Sequence, residues 1–307
     1  MKQSLAVGVI GIGAMGMGVA KTLLRAGFSV RVRDIRPEAD AEARAAGAIV
    51  CTSAAELAAG SAVVISVVVD SAQTDEVVFG RDGAAQALTT GGVFTDGVFI
   101  MCSTVAPDYS ESLAARLAAR GLAMLDAPIS GGPARAHAGT LSMMLAGPAA
   151  ALTRCATVLE AVADRRFVIS ARAGDGSRAK IVNNMLAGVN LAAACEAMAL
   201  GLKLGLEAAT LHQVVCASSG GSWMFSDRMP RVLAGDYAPR AALKILTKDL
   251  SLLLDAAREA GCPAELAATA HRAYAAALAQ GFGGEDDAAL VKHYAALAGV
   301  ALPAAVA

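Results

Sequence analysis

The most constraining feature of this chain is a set of three glycines placed directly after its first apolar stretch. Leu5–Ile10 has the continuous apolar character of a strand buried on both faces, and Gly11-Ile-Gly-Ala-Met-Gly16 follows it at once. A helical pattern then runs to Gly27, and a second strand pattern closes at Asp34. A strand, a glycine-rich turn, a helix and a strand in this order predict a βαβ unit that binds a dinucleotide.

Five of the six residues of this turn have a predicted part in holding the pyrophosphate of the dinucleotide. Gly11 allows the tight turn, Gly13 lets the backbone approach the phosphates, and Gly16 lets the helix pack closely on the strand. Ala14 and Met15 lie between them, ahead of a helix whose N-terminal N–H groups and partial positive charge favour an anion. We therefore predict that all five residues contact the cofactor.

The acidic residue that ends the second strand predicts which dinucleotide is bound. Asp34 would accept hydrogen bonds from the adenosine ribose hydroxyls and would repel a phosphate on the 2′ position. Arg36, two residues further on, could partly offset that repulsion. We expect NAD as the preferred cofactor, with the use of NADP left open.

Strand and helix patterns continue to alternate through the first half of the chain. Apolar strand patterns recur over residues 48–51, 62–69, 97–102 and 121–126, with helical or glycine-rich stretches between them. Repeated βα units predict an α/β, Rossmann-type doubly wound parallel sheet, in which ligands bind beyond the carboxyl ends of the strands. Asp34, Ser103-Thr104 and the loop after Asp126 all follow such ends. We assign residues 1–172 to this dinucleotide-binding domain.

The loop after Asp126 has the composition of an anion-binding segment. It reads Ala127-Pro-Ile-Ser-Gly-Gly132, so a serine hydroxyl is followed by consecutive glycine N–H groups, which suits a carboxylate. A plain glycine-rich turn is the alternative on this segment alone. His137 lies nearby, but no carboxylate partner is evident in the sequence, and we interpret it as a surface loop residue.

The alternation stops at Gly174, and only helical patterns follow. They cover residues 179–204, 207–218, 240–261, 264–280 and 286–297, which predicts an all-α domain over residues 173–307. Lys180 lies in the first turns of its long apolar helix, and Asn184 follows four residues later on the same face. Because burial favours the neutral amine of a lysine, Lys180 is a candidate general acid/base; a lysine that reaches the surface is the alternative.

Composition and charge argue against several classes of function. The chain of 307 residues has a formal net charge of −1 and no long basic or acidic block, so we expect neither a nucleic-acid nor a membrane partner. The six cysteines are scattered without metal-ligand spacing, which predicts buried, reduced thiols, no metal site and a cytoplasmic protein. The helix of Lys180 is long enough to span a bilayer, but its asparagines and Glu196 argue against a lipid-facing span.

Four motifs, in order, resemble those of the β-hydroxyacid dehydrogenase family over essentially the whole chain. They are Gly11–Gly16, Asp126-Ala-Pro-Ile-Ser-Gly-Gly132 with Gly139, Gly174-Asp-Gly-Ser-Arg-Ala-Lys-Ile-Val-Asn-Asn184, and Lys248-Asp-Leu250. The resemblance implies that Lys180 is catalytic with Asn184 as its partner. It further implies that Ser130, Gly131 and Gly132 bind the substrate carboxylate, and that Thr104 and Lys248 contact the nicotinamide end of the cofactor. On the residues alone, a surface ion pair of Lys248 with Asp249 is the alternative.

The resemblance also implies an activity and an assembly, namely NAD-dependent oxidation of a small carboxylate-bearing hydroxy acid by a homodimer or homotetramer. The related 6-phosphogluconate dehydrogenases carry a histidine where this chain has Asn183, so a sugar phosphate is disfavoured. Four shorter stretches are similar to the branch of the family that oxidises L-threonate: Ser103–Asp108, Ser222–Phe225, Gly235–Tyr237 and Gly283–Asp287. Oxidation of 3-hydroxyisobutyrate, reduction of tartronate semialdehyde, and cofactor binding without catalysis are the alternatives.

Overall fold

The computed structural model describes residues 5–90 and 97–304, and their contacts divide the chain inside a single long helix. One unit runs to Lys180, and the other begins at Ile181. The domain boundary that we expect at residues 172–173 falls shortly before that helix and remains a prediction. The two units are described separately below.

Nine strands in the described part of the N-terminal unit form one sheet. They are β1 (Ala6–Ile10), β2 (Ser29–Arg33), β3 (Ile49–Val50), β4 (Val63–Ser66), β5 (Val98–Met101), β6 (Ala123–Asp126), β7 (Ile129–Ser130), β8 (Leu141–Ala146) and β9 (Ala163–Ser170). Their order is β3-β2-β1-β4-β5-β6-β8-β7, with β9 paired to β8. Strands β1 to β6 are parallel, as the alternating pattern predicts, and the order reverses between β1 and β4. This is the doubly wound arrangement, and the reversal is where such sheets bind ligands.

Two apolar clusters form the core of this unit, one on each face of the sheet. Val63 and Ile65 of β4 belong to one cluster, and Val64 between them belongs to the other, because successive strand residues point to opposite faces. The helices that cover the sheet are α1 (Ala14–Arg25), α2 (Pro37–Ala45), α3 (Ala54–Ala59), α4 (Ser71–Phe79), α5 (Pro107–Ala118), α6 (Gly132–Ala138) and α7 (Ala149–Val162).

The far end of the sheet departs from the all-parallel expectation. Strand β8 runs antiparallel to β6 and β7, and β9 lies parallel to β8. The sequence pattern did not predict this extension, because short strands such as β7 are specified by their pairing partners more than by their own residues. His137 is exposed as expected, but it lies on α6 and not in a loop.

The regular elements in the described part of the C-terminal unit are helices, apart from one bridge between Ala242 and Asp286. After α8 (Asp175–Lys203), which begins in the first unit, come α9 (Ala208–Cys216), α10 (Trp223–Leu233), α11 (Leu243–Glu259), α12 (Glu265–Ala279) and α13 (Leu290–Ala298). Only α10 was not predicted. Leu191, Met229, Leu250 and Tyr274 are fully buried in its core, so one apolar cluster holds these helices together.

A set of paired charges is also buried in the C-terminal unit. The guanidinium of Arg228 donates to both carboxylate oxygens of Asp287, at 2.6 and 3.0 Å, and Arg231 binds Asp286 at 2.7 and 2.8 Å. Burial raises the pKa of Asp287 to about 6, although the charge of Arg228 opposes the rise. Burying these carboxylates is tolerable because each meets an arginine, and the pairs tie α10 to the segment before α13.

The cysteines and the long helix bear on two further expectations. Cys51, Cys102, Cys155 and Cys195 are buried, but Cys216 and Cys262 are exposed, so the expected burial is wrong for these two. All six thiols are free. Helix α8 is long and apolar enough to cross a membrane by length and composition alone. The residues of α8 that point inward lie in the core of the C-terminal unit. A buried core helix of a soluble protein can also meet these criteria of length and composition.

Candidate active site

A groove of about 570 Å³ lies at the carboxyl ends of β1, β2 and β4, where the strand order reverses. Gly11, Gly13 and Asp34 contribute to its walls, together with the start of α3 and Val67–Val69 after β4. The position agrees with the general rule for ligands of doubly wound sheets. The groove is therefore the candidate cofactor site of the N-terminal unit.

The glycine turn fits the pyrophosphate of a dinucleotide. Gly11 has φ of +81°, and a Cβ on Gly16 would lie 2.0 Å from the carbonyl oxygen of Gly11, so both positions require glycine. A Cβ on Gly13 would meet nothing closer than an Arg36 nitrogen at 3.8 Å, so the backbone there is open to a ligand. No side chain caps α1, which begins at Ala14 and Met15. The helix N-terminus therefore offers N–H groups to an anion.

Asp34 and Arg36 form a forked ion pair at the edge of the groove. Nε and Nη2 of Arg36 donate to Oδ1 and Oδ2 of Asp34 at 3.0 and 3.2 Å, and Nη2 also donates to the carbonyl oxygen of Ile12 at 3.2 Å. Burial would raise the pKa of Asp34, but the hydrogen bonds and charge of Arg36 outweigh it, and the pKa is lowered. The Arg36 backbone N–H also donates to Oδ1, so Oδ2 retains an acceptor site for a ribose hydroxyl.

The predicted carboxylate-binding loop turns sharply in the structure. Ser130 ends β7 and is paired with Ser142 of β8, while Gly131 and Gly132 have φ of +131° and +74°. These backbone conformations favour glycine, and they turn the chain from β7 into α6. Thr104 follows β5 at the same edge of the sheet and is half-buried.

Lys180 and the first turn of α8 lie close to the end of β6. The Lys180 residue is only 8% exposed, and the alternative of a lysine at the surface is therefore wrong. Oδ2 of Asp126, the last residue of β6, accepts the N–H groups of Gly174 and Ser177 at 2.8 and 2.9 Å. Its Oδ1 accepts the Ser177 hydroxyl at 2.8 Å. Asp126 and Ser177 were missed as site residues because nothing in their local sequence shows that they meet.

In the C-terminal unit, Asp249 joins two of the predicted site residues. Nδ2 of Asn184 donates to Asp249 Oδ2 at 2.7 Å, and Nζ of Lys248 lies 2.9 Å from Asp249 Oδ1. The side chain of Asp249 is 5% exposed and that of Lys248 is 26% exposed, so the ion pair that the sequence left as the alternative is present but lies partly buried. An acidic residue inside the apolar pattern of α11 was the available signal, since a buried carboxylate needs partners.

A Rossmann-type groove with an open glycine turn, a buried lysine at the end of the same unit and a helical unit after it are the features of a nicotinamide-dinucleotide-dependent dehydrogenase. Two family models match the chain: the NAD binding domain of 6-phosphogluconate dehydrogenase over residues 6–170, and the NAD-binding domain of NADP-dependent 3-hydroxyisobutyrate dehydrogenase over residues 174–294. The chain belongs to the β-hydroxyacid dehydrogenase family, as its motifs predict.

Individual relatives cover nearly the whole chain. The L-threonate dehydrogenase of Cupriavidus necator is 47% identical over 97% of each chain. The 3-hydroxyisobutyrate dehydrogenase of Pseudomonas aeruginosa is 36% identical over 87% of this chain and 90% of its own. A crystal structure described as a 3-hydroxyisobutyrate dehydrogenase from Salmonella typhimurium superposes with a TM-score of 0.88 at 40% identity, covering 94% of this chain and 99% of that one. The expected fold is therefore confirmed, and the protein is an NAD(P)-dependent oxidoreductase that acts on a small hydroxy acid.

Proposed function

We propose that this protein oxidises L-threonate to 2-dehydro-L-erythronate with NAD and uses Lys180 as the general acid/base. The observation that carries the chemistry is the near-complete burial of Lys180 in the first turns of α8. A buried amine favours its neutral form, which can accept a proton from a hydroxyl. The choice of L-threonate is supported by the full-length similarity to the enzyme of Cupriavidus necator that bears this name.

Different residues of the N-terminal unit would bind different parts of the cofactor and the substrate. Gly11, Gly13, Ala14, Met15 and Gly16 would hold the pyrophosphate through backbone N–H groups and close approach, and the free acceptor site of Asp34 would take a ribose hydroxyl. Thr104 would contact the nicotinamide end. The Ser130 hydroxyl and the N–H groups of Gly131 and Gly132 would bind the substrate carboxylate.

The proton of the reacting hydroxyl is assigned to Lys180. A bound nicotinamide supplies the acceptor for the hydride that leaves the substrate carbon. Nζ of Lys180 accepts the hydroxyl proton in the oxidation and returns it in the reduction. Asn184 would orient the same hydroxyl; because the carboxylate of Asp249 only accepts hydrogen bonds, the Asn184 amide nitrogen must face it. Asp249 also holds Lys248, the residue expected at the nicotinamide end.

We further infer that the active form is a homodimer or homotetramer in the cytoplasm. Helix α8 and the turn after it carry an exposed apolar stripe formed by Val182, Leu186, Leu200 and Leu204, each more than half exposed. Apolar side chains exposed on one face of a helix are typical of a protein interface. A second copy of this chain is the proposed occupant, because the stripes of two copies can face each other across a two-fold axis, where both subunits use the same surface.

The substrate is tested with a panel of small acids. L-threonate, D-erythronate, glycerate and 3-hydroxyisobutyrate are each offered with NAD, and tartronate semialdehyde with NADH. We expect the highest kcat/KM with L-threonate, measured by NADH absorbance. A higher kcat/KM with 3-hydroxyisobutyrate would contradict the proposed substrate and leave the lysine mechanism standing.

The mechanism is tested with Lys180→Ala. Removing the general acid/base should lower kcat by about 10²- to 10⁴-fold, while the affinity for NADH, measured by fluorescence titration, should barely change. Lys203→Ala is the matched control, because Lys203 lies at the other end of α8 and is exposed. Near-normal turnover of Lys180→Ala would remove Lys180 from the mechanism.

A further inference from the structure

We propose that Asp126 is a positioning residue, which clamps the first turn of α8 to the end of β6 and thereby sets the place of the Lys180 amine. Asp126 is fully buried, and residues Ala127 to Gly132, which contain the carboxylate-binding loop, follow it directly. A single carboxylate therefore connects the loop for the substrate carboxylate to the helix that carries the general acid/base. The inference rests on the proposed role of Lys180.

The carboxylate of Asp126 accepts hydrogen bonds from both backbone and side-chain donors at the start of the helix. Oδ2 accepts two backbone N–H groups, from Gly174 at 2.8 Å and Ser177 at 2.9 Å, and Oδ1 accepts the Ser177 hydroxyl at 2.8 Å. The first N–H groups of a helix lack partners within the helix, so a carboxylate at this point satisfies them and interacts favourably with the helix dipole. Lys180 lies three residues after Ser177, within one turn.

Gly176 brings the helix close enough for these bonds to form. A Cβ at this position would lie 2.7 Å from the carbonyl oxygens of both Asp126 and Met144 and 3.1 Å from Asp126 Oδ2. The helix therefore begins directly against the backbone of β6 and β8, with no side chain between them. Because the helix lies so close to the two strands, we expect that a small displacement of its first turn would break the hydrogen bonds to Asp126.

Other contacts at the same helix start are weaker. Arg178 donates to Glu111 at 2.6 Å and to Asp175 at 2.8 Å, and Arg172 binds Asp175 at 2.9 Å, but these arginines are at least two-fifths exposed. Ion pairs at the surface contribute little because water screens them. Burial raises the pKa of Asp126, and the hydrogen bonds from Ser177 and Gly174 partly offset that rise. Asp126 is thus the one contact of this group that is wholly removed from water.

Two substitutions separate hydrogen bonding from charge. Asp126→Ala removes all three acceptor contacts. Asp126→Asn keeps the shape: its oxygen accepts the two N–H groups, and its NH₂ group donates to the Ser177 hydroxyl, which can accept in turn. Ser177→Ala removes a single bond and serves if Asp126→Ala fails to fold. Glu207→Ala is the matched control, because Glu207 accepts two backbone N–H groups and one hydroxyl at the start of α9, which carries no proposed site residue.

Each variant is assayed for kcat, for KM of both substrates and for the reactivity of the Lys180 amine. The acylation rate of Lys180 by a water-soluble succinimidyl acetate, followed by peptide mass spectrometry across pH, reports its exposure without any turnover. Asp126→Ala should lower kcat about 10- to 100-fold with little change in the KM for NAD, because a misplaced general base loses its alignment. It should also label Lys180 faster. Ser177→Ala should move both quantities in the same direction by less, and Asp126→Asn should restore both.

The outcomes distinguish this inference from the proposed function. Wild-type kcat and labelling in Asp126→Ala, or in a folded Ser177→Ala, would overturn the clamp. Equal damage from Asp126→Asn and Asp126→Ala would show that charge, not hydrogen bonding, is what matters, and would also overturn it. The same losses of kcat and of protection from labelling in Glu207→Ala would show that the effect of Asp126→Ala reflects a general loss of helix stability, and would overturn the clamp. If wild type oxidises no hydroxy acid but the labelling differences hold, the proposed function fails and the positioning role stands.

Discussion

At the scale of single residues, the carboxylate of Asp34 restrains the position of the Arg36 guanidinium. The carboxylate holds the guanidinium by two hydrogen bonds and keeps it against the carbonyl oxygen of Ile12. These hydrogen bonds only partly restrain the guanidinium from turning toward a 2′-phosphate, because the Arg36 side chain is 47% exposed, but the carboxylate itself repels such a phosphate. Because the pKa of Asp34 is lowered, the carboxylate stays ionised through neutral and mildly acidic pH, and the pair persists there.

Substitution of Asp34 by alanine should therefore shift the cofactor preference through two effects. It removes the repulsion and releases Arg36 to bind the phosphate, so we expect the ratio of kcat/KM for NADP to that for NAD to rise about 10- to 100-fold. The double variant Asp34→Ala/Arg36→Ala is the control and should lose most of the gain. A native preference for NADP, or a gain that survives removal of Arg36, would contradict this account.

At the scale of elements, α8 connects the proposed general acid/base to the sheet. It is 29 residues long, it begins against the backbone of β6 and β8, and it carries both Lys180 and Asn184. Most alanine substitutions for a helical glycine are favourable by about 1 kcal/mol, because alanine is the better helix former. Gly176 should behave in the opposite way, because the space its side chain would occupy already holds two carbonyl oxygens that cannot move aside.

Gly176→Ala should lower the free energy of unfolding by about 1–3 kcal/mol, as overpacking against rigid backbone does, and should reduce kcat by displacing the first turn. Urea unfolding followed by circular dichroism measures the first effect, and the steady-state assay measures the second. Gly284→Ala is the control, because a Cβ there would meet nothing within 4 Å. A Gly176→Ala protein as stable as wild type would show that the helix does not rest on the sheet in this way.

At the scale of the whole molecule, the exposed stripe of α8 supports the proposed assembly. Val182, Leu186, Leu200 and Leu204 recur at helical spacing on the surface, which is costly for an isolated chain. Burying these side chains between two copies would stabilise the assembly by about 25 cal/mol for each Å² of apolar surface removed from water. The proposed assembly is thus a consequence of which face of the helix the core leaves uncovered.

Size-exclusion chromatography with light scattering at micromolar concentration should give the mass of a dimer or a tetramer. Replacing Leu186 and Leu200 together by glutamate should shift the mass toward the monomer, because burying two charges at the interface is unfavourable. Val168→Glu is the control, because Val168 is 62% exposed on β9 and lies outside the stripe. A wild-type monomer, or an unchanged mass in the double variant, would contradict the assembly proposed for this face.

What the sequence by itself determined is the part of the structure that local patterns encode. The first βαβ unit, the need for glycine at Gly11 and Gly16, the change to a helical C-terminal half and the spacing of Lys180 from Asn184 all follow from periodicity and backbone sterics within short windows. The family follows from four motifs in order, and the matching family models confirm it.

Only the tertiary structure decided which residues support those motifs. Asp126 meets Ser177 across 51 positions of sequence, and Asn184 meets Asp249 across 65, so no local window contains either pair. The antiparallel extension at β8 and the exposure of Cys216 and Cys262 depend in the same way on what packs nearby. The physical reason is that a buried polar side chain takes its role from its hydrogen-bond partners, and folding alone brings those partners together.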